Sequence, residues 1–290
     1  MDNGHQILQR AVTSVPRVNV LGVGIHALRM DLAVDTVEAA IAGNTKGYVC
    51  VTGVHGVIEA QRDEKFRSIL NNAFLVTPDG MPTVWVGKAQ GHRKMERVYG
   101  PDMMIEVCRR SVEKGYTHFF FGGNEGVAQE LAARLKSRFP GIKIVGSYTP
   151  PFRPLNPDEE AELAAQLEET RPDLFWVGLS TPKQERFMEA YLDRLNVKVM
   201  LGVGAAFDIH TGRTKDAPKW MQRSGLQWLF RLLQEPRRLA RRYMINNPLF
   251  VYQMFLQCLG LRDYRVEFSY CQEQEKKPER SELGRTRELF

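Results

Sequence analysis

THFFFGGNEGVAQELAARLKSRFPGIKIVGSY, residues 117 to 148, holds an unbroken apolar run that stops at two glycines, a segment with helical spacing, and a second apolar run. An apolar run without alternation is the pattern of a strand covered on both faces, and a helix-length gap between two such runs is a crossover between parallel strands. Towards the C-terminus the pattern repeats: a helix at 158–171 with acids in its first turn, a strand at 174–180 (LFWVGLS), a helix in KQERFMEAYLDRL and a strand at 197–204 (VKVMLGVG). Towards the N-terminus, 17–24 (RVNVLGVG) and 47–54 (GYVCVTGV) read as buried strands flanking a helical pattern at 33–42, a β-α-β unit. Residues 57–71 read as a helix, 73–77 as a strand, and 101–114 as a helix with Pro101 in its first turn.

Strand and helix in strict alternation predict an α/β fold: a doubly wound, mostly parallel, Rossmann-like sheet with ligands at the carboxyl ends of its strands. No repeat of solenoid period interrupts it. After Gly212 the composition turns to aromatic residues, arginine and proline. The chain therefore divides into an α/β core over 1–217 and a basic, amphipathic helical appendage over 218–265, with Pro236 and Pro248 as breaks. The segment 266–290 is mixed in charge and poor in apolar residues, and reads as disordered.

With 43% hydrophobic and 26% charged residues in 290, the chain is long and apolar enough for a sizeable core. Its cysteines, Cys50, Cys108, Cys258 and Cys271, lack metal-ligand spacing and read as reduced thiols, which suits the cytoplasm. The N-terminus carries no secretory pattern, and the apolar segment 247–261, interrupted by Gln253 and Gln257, is too short and polar to span a bilayer. Most of the net charge of +6 is local: residues 219–265 hold nine basic and two acidic residues, leaving 31 basic and 32 acidic elsewhere. Such a block points to one anionic surface.

Three glycine-rich turns follow predicted strands. GVGIHA (22–27) matches the loose dinucleotide fingerprint that a nucleotide-dependent oxidoreductase would use, but any tight β-α junction wants glycine, and the structural role is favoured. FGGNEG (121–126) would free backbone N–H groups at Gly122, Gly123 and Asn124 for a phosphate or ribose, and Gly204 in GVGAAF does the same. Asp79 lies in T-P-D-G, a turn by composition, directly after a predicted strand. A carboxylate so placed, followed by Arg97 just ahead of a helix, is one way for an enzyme to set a base opposite an anionic leaving group, while a plain turn at Asp79 and a surface ion pair of Arg97 with Glu96 or Asp102 are the common alternatives.

The stretch LVTPDGMPTVWVGKAQGHRKMERVYGPDMM (75–104), with PKQE (182–185) and GVGAAFD (202–208), resembles the WecG/TagA/CpsF family of glycosyltransferases over about residues 17–247. The resemblance implies an inverting transfer of a sugar from a UDP-sugar donor to a lipid-linked saccharide acceptor, on a polyprenyl diphosphate, during bacterial surface polysaccharide synthesis. It implies Asp79 as base, Thr52 beside it, Arg97 at the donor diphosphate, and Gln184 and Asp208 near the nucleotide or the sugars. Similar proteins usually carry asparagine two positions after the threonine. Here Val54 and then His55 follow, and His55 either replaces that polar contact or caps the next helix.

For the basic block, with Arg237, Arg238, Arg241 and Arg242, the resemblance implies attachment to an anionic membrane surface or contact with diphosphate. A solvated face of an ordinary packed helix is the plainer reading, and no nucleic-acid motif accompanies the charge. The chain is thus expected on the inner face of the cell membrane. It contains no Asp-X-Asp, so neither a metal nor another cofactor is expected, and arginines with backbone N–H groups would carry the leaving-group charge. A non-catalytic, membrane-associated nucleotide-binding protein is the other class, and homo-oligomerisation stays open.

Overall fold

A computed structural model describes residues 15–267, so nearly all of the predicted disordered tail lies outside the described residues. Six strands form one sheet: β3 (Gly47–Thr52), β4 (Leu75–Pro78), β5 (Thr117–Gly122), β6 (Lys143–Tyr148), β7 (Leu174–Gly178) and β8 (Val199–Gly202). Their order is β4-β3-β8-β7-β5-β6, and every pairing is parallel. Successive side chains go to opposite faces. Val49, Phe120, Trp176 and Leu201 enter one core, and Cys50, Phe121, Phe175 and Met200 enter the other. Both faces are covered, which is why the central strands read as unbroken apolar runs.

The helices α1 (Met30–Ala42), α2 (Val54–Arg62), α3 (Glu64–Asn72), α4 (Met81–Ala89), α5 (Gly100–Lys114), α6 (Val127–Arg138), α7 (Pro157–Thr170), α8 (Lys183–Tyr191) and α9 (Ala206–His210) alternate with these strands. The predicted helix over 57–71 is two, because Asp63 ends α2 and caps α3, its side chain accepting from the Phe66 N–H. Helix α4, which the sequence reading left out, begins after Gly80 with Pro82 in its first turn.

The N-terminal β-α-β unit is a correction. Residues 17–26 form an antiparallel hairpin of β1 (Arg17–Val20) and β2 (Val23–His26), turned by Leu21 and Gly22. Both turn residues have positive φ, 52° and 79°, the geometry whose twist suits a two-residue hairpin turn. GVGIHA therefore lies in the turn and second strand of an antiparallel hairpin, not at a glycine turn between a parallel strand and a helix, and the dinucleotide reading falls. The hairpin packs beside β4, where His26 Nδ1 accepts from the Val76 N–H.

After β8 and α9 come α10 (Lys219–Arg223), α11 (Gln227–Gln234) and α12 (Pro236–Cys258). Pro236 starts α12, but Pro248 sits inside it and does not break it. An internal proline costs a helix about 3 kcal/mol. Buried Phe250 and Met254 on the same helix anchor it to the core and offset that cost.

Candidate active site

The chain turns outward from β3 to β4 on one side of the sheet and fills the other side with β5 to β8, so the order reverses between β3 and β8. A crevice opens at such a switch point. Here it is a cavity of about 770 Å³, with walls from the loops after β3, β4, β7 and β8 and a cover from α10, α11 and α12.

Asp79 follows the last residue of β4. Its N–H donates to the Thr52 carbonyl at 2.9 Å, tying the ends of β3 and β4 together. At Gly53 a Cβ would lie 2.5 Å from the Asp79 carbonyl oxygen, so this approach requires glycine. The Asp79 carboxyl lines the cavity and accepts no hydrogen bond from the described residues. Burial pushes its pKa from 3.8 up to about 6; Arg97 and Arg231 pull against that shift, and Asp216 and Asp102 add to it. Thr52 lies just beneath the cavity wall, buried, with its hydroxyl unpartnered among the described residues.

Arg97 stacks on Tyr99, 4.2 Å from the ring centroid, and donates to the Gln227 and Gln222 side-chain oxygens at 2.7 Å each. Its nearest carboxylate, Asp102, is 3.8 Å away. Neutral amides thus fix the guanidinium, and its only ion pair among the described residues is the longer contact to Asp102. Gln184 Oε1 accepts from the Gly204 N–H at 3.0 Å, and its Nε2 donates to buried Glu185, so the turn after β8 is clamped to α8. Gly204 and Asp208 both line the cavity.

His55 lines the cavity as well, and its Nδ1 meets the Asn246 Nδ2 at 3.0 Å, joining α2 to α12. Asn246 donates, so the ring nitrogen accepts. Burial first, then Arg242, drives the His55 pKa down to about 4. The imidazole is neutral at neutral pH, and its Nε2 is buried without a partner among the described residues.

The remaining sequence candidates divide. Arg238 and Arg242 face the cavity, whereas Arg237 and Arg241 are exposed and outside it. Gly122, Gly123 and Asn124 are not part of the cavity wall. A Cβ at Gly122 would lie 2.7 Å from the Gly178 carbonyl, and the Gly123 N–H donates to that oxygen at 3.2 Å, so this pair serves the closure of β5 onto β7.

Several wall residues escaped the sequence reading: Trp85, Tyr99, Gln222, Gln227, Arg231 and Tyr243. Arg231 donates to Glu235 at 3.3 Å while its Nε is buried without a partner, and Arg242 has no ion pair among the described residues. The four-residue step from Arg238 to Arg242 was a signal that both face one way. Nothing in the sequence set Arg231 apart from its basic neighbours. Among the described residues no three His, Cys, Asp or Glu side chains are grouped to hold a metal.

The assembled cavity offers an unbonded carboxylate with a raised pKa, opposite cations from the core and from the C-terminal helices. That set can take a proton from a hydroxyl and receive an anionic leaving group. The family model for glycosyl transferases of the WecG/TagA/CpsF family matches residues 18–264. An N-acetylglucosaminyldiphosphoundecaprenol N-acetyl-beta-D-mannosaminyltransferase of Bacillus spizizenii is 31% identical over 219 residues, covering 75% of this chain and 82% of that protein. A Bacillus subtilis protein of the same description is 29% identical over 189 residues, covering 65% and 71%. The match spans the hairpin, the sheet and all three C-terminal helices, and the chain belongs to the WecG/TagA/CpsF family of glycosyl transferases.

Proposed function

We propose that the protein moves a sugar, N-acetylmannosamine in the first instance, from UDP to a saccharide carried on a polyprenyl diphosphate, with inversion at the anomeric carbon. The sugar and the lipid-linked acceptor are those in the names of the Bacillus relatives. The observation that carries the reading is Asp79, a cavity carboxylate with its pKa at about 6 and no hydrogen bond from the described residues. In the proposed step Asp79 takes the proton of the acceptor hydroxyl as that oxygen bonds to the anomeric carbon. The bond from that carbon to the diphosphate oxygen breaks, and its electron pair leaves with UDP. Arg97, Arg231 and Arg242 meet the developing charge, while Gln184, Gly204 and Asp208 hold the donor.

Helices α11 and α12 suit a position on the membrane surface. Leu233, Met244, Val251, Tyr252 and Phe255 are exposed beside the outward Arg237 and Arg241. Among the described residues no helix is long and apolar enough to cross a bilayer. Release of UDP, measured across a panel of UDP-sugars with lipid-linked N-acetylglucosaminyl diphosphate supplied, tests the reading. Acceptor-dependent release with one donor supports it, and no release with any donor overturns it.

A further inference from the structure

Asp216 lies between the core and the C-terminal helices, in the segment joining α9 to α10. Its Oδ1 accepts from the Tyr99 hydroxyl at 3.2 Å, the Gln227 Nε2 at 3.3 Å and the Ala217 N–H at 2.8 Å. Its Oδ2 accepts from the Gln222 Nε2 at 3.0 Å. The oxygens of the same two amides accept from the two terminal nitrogens of Arg97.

A guanidinium only donates and a carboxylate only accepts, so each amide between them has a single orientation that satisfies both ends. The Gln222 Nε2 also donates to the Ala217 carbonyl at 2.7 Å, which holds that amide with or without the carboxylate. Gln227 Nε2 has Asp216 as its acceptor, so without the carboxylate Gln227 could turn its NH2 toward Arg97 and the guanidinium would lose an acceptor. Gln222 lies on α10 and Gln227 starts α11, so both arms exist only while these helices are seated.

We propose that Asp216 is a positioning residue for Arg97, acting chiefly through Gln227 with Gln222 as the second arm, and that seating of α10 and α11 is thereby what aims Arg97 at the diphosphate of the donor. This rests on the glycosyl-transfer reading given above. The relay has a second consequence for the charge balance. The Asp216 charge stands one amide behind the guanidinium and two neutral oxygens contact it directly, so Asp216 orients Arg97 without itself pairing with it, and Asp102 at 3.8 Å is its one ion-pair partner among the described residues.

The test is a double-mutant cycle on UDP affinity by titration calorimetry, with wild type, Asp216→Asn, Arg97→Ala and the double variant, and with acceptor KM measured in parallel. Asp216→Asn should weaken UDP binding about tenfold and lower turnover by up to about 100-fold, the scale of a misplaced contact, while acceptor KM holds. In the Arg97→Ala background it should change UDP affinity by less than about twofold, because nothing is left to aim. Additive losses, or a rise in acceptor KM matching the loss in UDP affinity, would overturn the relay and leave Asp216 as a plain strut. Gln227→Met cuts one arm and keeps the carboxylate, and it gives the same cycle if Asp216→Asn folds poorly. UDP affinity needs no turnover, so a wild type that binds UDP but transfers no sugar counts against the function and not against the relay.

Discussion

Asp79 is placed where folding gains least from it. A carboxylate in a protein-walled cavity with no hydrogen-bond donor is easier to protonate than one in water, which is why its pKa stands at about 6 and not at 3.8. For catalysis the sign is direct: the base is loaded with a proton below about 6, so turnover should rise from pH 5 to pH 7 and level off above, in a pH–rate profile at saturating donor. For stability, a raised folded-state pKa contributes stability that is present below the unfolded value and lost as pH rises through the folded one. Asp79→Asn should therefore melt higher than wild type at pH 7.5, by about 1–3 kcal/mol, with the gap closing below about pH 4. A variant that melts lower at neutral pH would show that the carboxylate is structurally paired. Arg97→Lys should weaken UDP binding about tenfold, since one ammonium cannot span two amide oxygens and a phosphate. Asp79 and Arg97 were singled out by the resemblance of their short motifs to the family, and both line the cavity. Tyr99, Asp216 and Arg231 were not, because their roles exist only once α10 and α11 close over the strand ends.

Helix α12 divides its arginines by face. Arg238 and Arg242 line the cavity, one turn apart, and Arg237 and Arg241 follow the adjacent, outward row. Each basic residue near an anionic surface contributes about 1 kcal/mol before screening, so losing two should weaken vesicle binding about thirtyfold at low salt. Arg237→Gln with Arg241→Gln should show that loss in co-sedimentation with anionic vesicles while keeping turnover on a short-chain, water-soluble acceptor. Arg238→Gln with Arg242→Gln should lose turnover on that acceptor. Equal vesicle binding by the outward pair and wild type would remove the membrane role. At this scale, besides the 57–71 helix that is two and the missed α4, the sequence misled in two further places. Leu21 and Gly22 turn a hairpin inside what looked like one strand, because a run of small and β-branched residues does not show where φ changes sign. Pro248 looked like a helix end, and the burial of Phe250 and Met254 overrides it.

For the whole molecule, the parallel sheet was readable because strands covered on both faces must be apolar throughout, and only crossover helices can join them. Strand order was not readable, yet it decides the site: the reversal between β3 and β8 brings Thr52, Asp79 and Gly204 to one crevice from distant parts of the chain. No three metal-ligand side chains are grouped among the described residues, so transfer should persist in excess EDTA. A loss restored by Mg²⁺ or Mn²⁺ alone would contradict the arginine-borne leaving group. The central claim, that this cavity transfers a sugar with Asp79 as base, is tested most directly by turnover of Asp79→Asn with the UDP-sugar and lipid-linked acceptor that the wild type uses. Turnover should fall by about two to four orders of magnitude, with UDP affinity unchanged within about twofold. Near-normal turnover by that variant would make Asp79 a turn residue and contradict the account.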